Sequence, residues 1–388
     1  MLNIKVIIPQ FYYMSKNQTL RKAFSKLILF FRFDSFKILI FIIVFVFFYC
    51  FLTVFKKPVN YKLYNVTGLY AERKNSLDMV YIGGSAAFVY YSPIDAYQNY
   101  GISSYVYAAD NMQAELYTTM VKEILKTQKP KLIVIDARAF QYRDTVNKPS
   151  EKAYRAYLTY LKPSKDRYDL INKIVPKYLN QKTDSYHFDL KLYHSSEEKS
   201  LVKTTLKVLF DKNKHPNKGF YLLAKTIKLQ EQERITDDIK PIGKETEKLL
   251  NELLDYLEKR NVKALFVVSP YLQTKTEKMN FNYIEKIIKS RNQDFLDAND
   301  YIKEMNLNYA YDFIDIDHVN IYGAEKYTKF LSEYLIKKYN LPDRRGDKLY
   351  DEDFNNLIPK WNQNVEETKK TIKEIIARKG YEEEIQTK

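Results

Sequence analysis

The sequence predicts an α/β protein: a parallel sheet covered by helices on both faces, preceded by one transmembrane helix. Two observations carry that expectation. Short apolar runs at residues 79–82, 104–107, 131–136 and 262–268 alternate with stretches whose apolar residues recur at helical spacing. Runs this short, without regular polar alternation, read as strands buried on both faces, and strand–helix alternation builds parallel sheets. Residues 38–55 read ILIFIIVFVFFYCFLTVF, with no charge. At about 1.5 Å rise per residue that run nearly spans a ~30 Å hydrocarbon core.

The chain has 388 residues and a formal charge of +15. Lys5, Lys16, Arg21, Lys22, Lys26, Arg32 and Lys37 precede the apolar run, opposed by Asp34 alone; Lys56, Lys57 and Lys62 follow it. The positive-inside tendency places residues 1–34 in the cytoplasm and the large C-terminal part outside the cell membrane, with 35–57 as a single-pass anchor. No small-residue cleavage site follows the run, so the anchor is expected to be retained. The lone cysteine, Cys50, lies inside it, which excludes a disulfide or cysteine–metal framework within one chain. The positive charge is dispersed, without a recognisable nucleic-acid motif. It suits an anionic envelope polymer or membrane surface, and no nucleic acid is expected as a partner.

Residues 58–77 are polar and mixed, and read as a stem. The folded domain is expected over 78–341. Its first strand, 79–82, closes on Gly83-Gly84. Residues 93–100 suit a short helix ended by Gly101. A second strand at 104–107 precedes an amphipathic helix at 113–127, with Leu116, Tyr117, Met120, Val121, Ile124 and Leu125 on one face. Pro130 ends that helix, and 131–136 is the third strand. Between about 140 and 240 the alternation gives way to charged, Tyr-rich sequence, read as a helical insertion that either caps a groove or elaborates the surface. Leu249, Leu250, Leu253, Leu254 and Leu257 mark a helix face, 262–268 the fourth strand, 283–288 part of a helix, and 323–339 the last helix of the fold. Residues 342–388 read as a polar tail holding Trp361 and a helix near 365–378. There is no internal repeat.

Two places carry chemistry. Ser85 follows the first strand and two glycines, at the strand end where open parallel sheets form sites; its backbone N–H is placed to bind an oxyanion. Asp315 lies three residues before His318, and the chain has only four histidines. An Asp so spaced can accept from the imidazole Nδ1–H and leave Nε2 free as a base. The order Ser, Asp, His then supplies nucleophile, orienter and base. Taken singly, Ser85 is an ordinary turn serine, and the His318 stretch an ordinary helix start capped by Asp317 or Asn320. Asp312, Asp315, Asp317 and His318 resemble hard-cation ligands, but no glycine turn or distal carboxylate accompanies them. No metal and no cofactor is expected.

Residues 81–85 (Tyr-Ile-Gly-Gly-Ser), 101–113, 128–136 and the stretch His318-Val-Asn…Gly323-Ala-Glu-Lys-Tyr-Thr328 resemble blocks of the SGNH/GDSL hydrolases. The likeness runs over about 78–346 and is to the membrane-anchored bacterial branch that includes DltD-like and exopolysaccharide O-acyltransferase-like proteins. The resemblance implies a three-layer, flavodoxin-like sheet, with Ser85 as nucleophile, His318 as general base and Asp315 as orienter. The family's second block offers a glycine N–H to the oxyanion; Ala109 stands there and would serve through its backbone. The third block offers an Asn side chain, absent from 136–140; Asn111 or Arg138 would substitute. The function implied is a serine esterase or acyltransferase acting on O-acyl or D-alanyl groups of cell-envelope polysaccharide or teichoic acid, alongside a membrane-bound O-acyltransferase. The alternative is a non-catalytic polymer-binding or scaffold protein of an acylation complex.

Overall fold

A computed structural model describes residues 22, 25–26, 34–56, 61–146, 148–187 and 214–379. The chain divides into two compact units, Met1–Pro58 with Tyr193–Thr205, and Val59–Leu192 with Leu206–Lys388. In the first, residues Asp34–Lys56 form a helix. Its apolar side chains from Ile38 to Phe48 are exposed, while the side chains of 49–56, the second half of the expected span, lie outside the described residues. Among the described residues no helix is long and apolar enough to cross a membrane. The basic stretch expected in the cytoplasm lies almost entirely outside them as well.

The second unit is built on five parallel strands: β1 (Met79–Gly83), β2 (Ser104–Ala108), β3 (Leu132–Asp136), β4 (Ala264–Val268) and β5 (Asp294–Asp297). Their order is β2-β1-β3-β4-β5, and each neighbouring pair is parallel. Strand residues are buried throughout, Asp294 excepted, as a sheet covered on both sides requires. The pleat sends Val80 and Ile82 to one face, against Met120, Ile124, Leu250, Leu254 and Ile284. It sends Met79 and Tyr81 to the other, against Tyr327, Leu331, Leu335 and Trp361. The α/β layering and the first four strands follow the sequence expectation. β5 does not: Asp-Phe-Leu-Asp offers two apolar residues between charges, too little for a periodicity.

Chain order reverses at β1. From β1 the chain goes outward to β2, then returns to β3 on the other side. That switch point opens a crevice beyond the carboxyl ends of β1 and β3, where sites of such sheets form.

Three regions differ from expectation. Within the supposed stem, Tyr61–Ala71 is a helix whose Val66 and Leu69 are wholly buried. Among the described residues the insertion is helical in the segments Arg138–Thr145, Glu151–Leu158, Lys165–Ile174 and Asp184–His187 plus a π-turn at Val175–Leu179. From 214 to 243 it is an extended strap without periodicity. Its backbone is held one bond at a time: the Lys218 carbonyl accepts from Val106 N–H (2.9 Å), Tyr221 N–H donates to the Phe88 carbonyl (2.8 Å), Ile227 to Phe313 (2.9 Å) and Lys240 to Met279 (3.0 Å).

The segment after 341 is folded rather than trailing: Lys348–Phe354 and Ile358–Lys379 are helices, and Trp361 is 1% exposed. Arg344 clasps Asp78 through two bonds of 2.8 and 2.7 Å. The Trp361 indole donates to Asp95 Oδ1 at 2.6 Å, while Asp95 Oδ2 is buried with no partner among the described residues. Burial raises this carboxyl from 3.8 to about 6, against the lowering effect of the Trp361 and Ser92 hydrogen bonds. The folded protein thus holds a proton that the unfolded chain has already lost. Its contribution favours folding at low pH and turns unfavourable as pH rises from about 4 to about 6. We predict that Asp95→Asn raises stability by about 2 kcal/mol near pH 8 and leaves it unchanged near pH 4. Paired denaturant titrations at the two pH values check this, and an equal effect at both would contradict it.

Candidate active site

Ser85 is the first residue of a short helix, Ser85–Phe88, that leaves β1 through Gly84. Gly83 permits the tight exit: a Cβ there would meet the Asp136 Cβ at 2.6 Å and the Ala87 Cβ at 2.9 Å. As the first helical residue, Ser85 has a backbone N–H with no intrahelical acceptor, and none is found elsewhere among the described residues.

The His318 loop is braced from within. Phe313 and Val319 form an antiparallel bridge. Ile314 N–H donates to the His318 carbonyl (3.0 Å) and Asn320 N–H to the Asp312 carbonyl (2.8 Å). Asn320 then caps helix Ile321–Tyr339, accepting from Tyr322 and Gly323. Gly323 packs under the loop, where an added Cβ would stand 2.7 Å from both the Asp312 carbonyl oxygen and the Val319 Cβ. Backbone cannot yield there. Gly323→Ala is expected to cost about 1–3 kcal/mol and to lower the melting temperature. An unchanged melting temperature would refute this packing.

Asp315 folds back on the loop. Its Oδ1 accepts from the N–H groups of Asp317 and His318, each at 2.8 Å, and its two oxygens face His318 Nδ1 at 2.9 and 3.0 Å. Burial pushes this carboxyl up. The His318 hydrogen bond and charge, with the two backbone donors, outweigh burial and hold it below its ordinary 3.8. The carboxylate therefore stays ionised at neutral pH, and its contribution is lost only as pH falls through that lowered value. With Nδ1–H given to Asp315, the Nε2 lone pair faces Ser85 Oγ at 2.7 Å. The three residues singled out in sequence thus meet in one chain of hydrogen bonds.

The supporting residues fall differently. Ala109 is no oxyanion donor: its N–H donates to the Gly83 carbonyl at 3.3 Å. Arg138 is no substitute donor either. It is 2% exposed, and its Nη2 donates to Asp317 Oδ1 (2.7 Å) and meets Tyr142 Oη (2.6 Å), while Nη1 reaches the Asp317 carbonyl (3.1 Å). Its guanidinium stacks 4.2 Å from the Tyr271 ring centre. Tyr142 and Tyr90 also donate to Asp317, at 2.7 and 2.9 Å. Arg138 is therefore a clamp on the loop between Asp315 and His318. Asn111, in the left-handed region at φ 48°, lines the cavity, and its side chain has no partner among the described residues.

The cavity holds about 90 Å³. Ser85 and His318 border it, with Met112 and Tyr117 from the β2 side, Asp136 from β3, and Ala139, Tyr142 and Val146 from the start of the insertion. The insertion thus walls the site. Asp136 and Tyr142 had not been singled out by sequence. The available signals were a carboxylate at the very end of a strand beside the switch point, and a tyrosine one helical turn after a basic residue. Among the described residues no three His, Cys, Asp or Glu side chains are grouped to hold a metal ion. No protein-family model, curated protein or solved structure matches the chain.

Proposed function

We propose that this chain is a serine acyl hydrolase or acyltransferase of the SGNH/GDSL kind, anchored in the cell membrane through residues 38–55. It would act outside the cell on O-acyl or D-alanyl groups of polysaccharide or teichoic acid. The observation that carries the proposal is the chain Ser85 Oγ–His318 Nε2 at 2.7 Å and His318 Nδ1–Asp315 at 2.9 Å, opening on a cavity at the sheet's switch point.

In the first step the Ser85 oxygen bonds to the acyl carbonyl carbon, and its proton passes to His318 Nε2. Asp315 holds the ring and offsets the imidazolium charge. Collapse of the tetrahedral species breaks the bond to the leaving oxygen, which takes the proton from His318. In the second step water or a sugar hydroxyl gives its proton to His318 and attacks the acyl-enzyme, and Ser85 recovers its proton as it leaves. The dispersed positive charge suits an anionic acceptor, and a membrane-bound O-acyltransferase is the fitting donor partner. No cofactor takes part.

Asp315→Asn would keep the loop turn but offer the imidazole an ambiguous partner. It should lower turnover of a chromogenic acetyl ester by about 100- to 10,000-fold. Undiminished turnover in that variant would remove the orienting role, and undiminished turnover in Ser85→Ala would remove the mechanism. One observation favours a second reading, a polymer-binding or scaffold protein: the N–H of Ala109, the donor expected from the second block, is spent on Gly83.

A further inference from the structure

We infer that Glu115 and Arg143 determine specificity: their buried ion pair joins the two walls of the cavity at Ser85 and limits the acyl group to about three carbons. This rests on the acyl-transfer reading above and narrows the substrate such a site takes.

The walls come first. The leaving oxygen takes its proton from His318 Nε2, so the acceptor part of the substrate lies toward His318. The apolar part of the lining is left for the acyl chain. Met112 and Tyr117 supply it from the connection after β2, and Ala139 and Val146 from the helix Arg138–Thr145 and the residue that ends it. Met112, Tyr117 and Ala139 are buried, whereas Val146 is 67% exposed and marks the rim.

The tie between the walls comes second. Glu115 lies in a 3-10 turn, Ala114–Leu116, between Met112 and Tyr117. Arg143 follows Tyr142 on the insertion helix. Its Nε donates to Glu115 Oε1 at 2.5 Å, and the two side chains are 13% and 1% exposed. The guanidinium also lies 5.3 Å from the Tyr178 ring centre, which holds it from the far side. A second contact joins the same walls: the Tyr117 and Phe140 rings are 5.5 Å apart, centre to centre, and both are wholly buried. An alkyl chain passes between the walls only by parting the ion pair and this ring contact. Parting a buried pair from one side leaves a charge uncompensated, so the tie resists.

Size comes third. A cavity of about 150 Å³ takes up one benzene, a ring of six carbons. By that measure about 90 Å³ admits an acyl group of about three carbons, acetyl or alanyl, and turns away a hexanoyl chain.

The test uses the full-length chain in detergent and two p-nitrophenyl phosphonates, one methyl and one hexyl, whose alkyl group stands for the acyl chain. Attack by Ser85 on phosphorus releases p-nitrophenol and needs neither acyl donor nor acceptor. The natural chain should react at least ~100-fold faster with the methyl compound. Arg143→Ala should narrow that ratio by about 10-fold by admitting the hexyl group. Arg143→Lys, whose ammonium can make the single bond that Nε makes, should keep the natural ratio. Both variants retain the other anchors of the helix, Arg138 on Asp317 and Asp144, which accepts from Gly243 N–H at 2.6 Å. Met112→Ala widens the cavity without touching a charge and should speed the hexyl reaction by about 10-fold. Equal rates for the two phosphonates, a natural ratio kept in folded Arg143→Ala, or a hexyl rate unmoved in Met112→Ala would each overturn the inference while leaving the Ser85 chemistry intact. Failure of Ser85 to react with either compound would remove the acyl-transfer reading, and this inference with it.

Discussion

His318→Ala is expected to lower kcat/KM for acyl-ester turnover by about 10⁴- to 10⁶-fold, with little change in KM. Among the described residues the imidazole is the only ring nitrogen base at Ser85 Oγ, 2.7 Å away. Without it the serine must lose its proton to water, and the leaving oxygen has no acid. Ser85→Ala should cost about as much, and the double variant no more than either alone, because the pair acts as one unit. Stability should hardly suffer. The His318 side chain is 24% exposed, and the loop bridge and Asn320 cap do not use its ring. Steady-state kinetics of the two single variants and the double variant, with melting temperatures alongside, check this. Additive losses would mean that Ser85 and His318 act separately.

The next largest effect is expected at Arg138. Arg138→Ala removes the donors that hold both the carboxylate and the carbonyl of Asp317, midway between orienter and base. Breaking a buried ion pair from one side costs about 3–5 kcal/mol. Asp317 keeps 35% of its side chain exposed and retains Tyr142 and Tyr90, so the low end, about 3 kcal/mol, is expected. The freed loop lets His318 drift from Ser85, and kcat should fall about 100-fold, as for ångström-scale misplacement of a catalytic group. Arg138→Lys should rescue neither property well, because an ammonium lacks the planar fork that meets Asp317 at two atoms and stacks on Tyr271. A variant that lost stability while keeping kcat would show the clamp to be structural only.

Much of this architecture could be read in the chain because two-sided burial writes itself into composition. The strand at 131–136 has no reason to be so apolar unless helices cover both its faces, and Ser85 and His318 gained meaning from the order in which such a sheet presents its strand ends. What escaped reading was set by single contacts. β5 is specified by pairing with β4 and by the buried Phe295 and Leu296, not by a pattern. The 214–243 strap follows the contours of other elements and has no period of its own. Trp361 looked like a stray aromatic in polar sequence, yet its indole is aimed at Asp95. Ala109 and Arg138 were assigned from their places in a resemblance; an N–H already given to Gly83 and a guanidinium already given to Asp317 are facts of three-dimensional neighbourhood.

The central claim, that Ser85 is a nucleophile activated by His318, is tested most directly by incubating the full-length chain with an active-site phosphonate and mapping the adduct by mass spectrometry. The account predicts a single adduct on Ser85, formed far more slowly in His318→Ala. An unlabelled Ser85, or labelling at the same rate without His318, would contradict it.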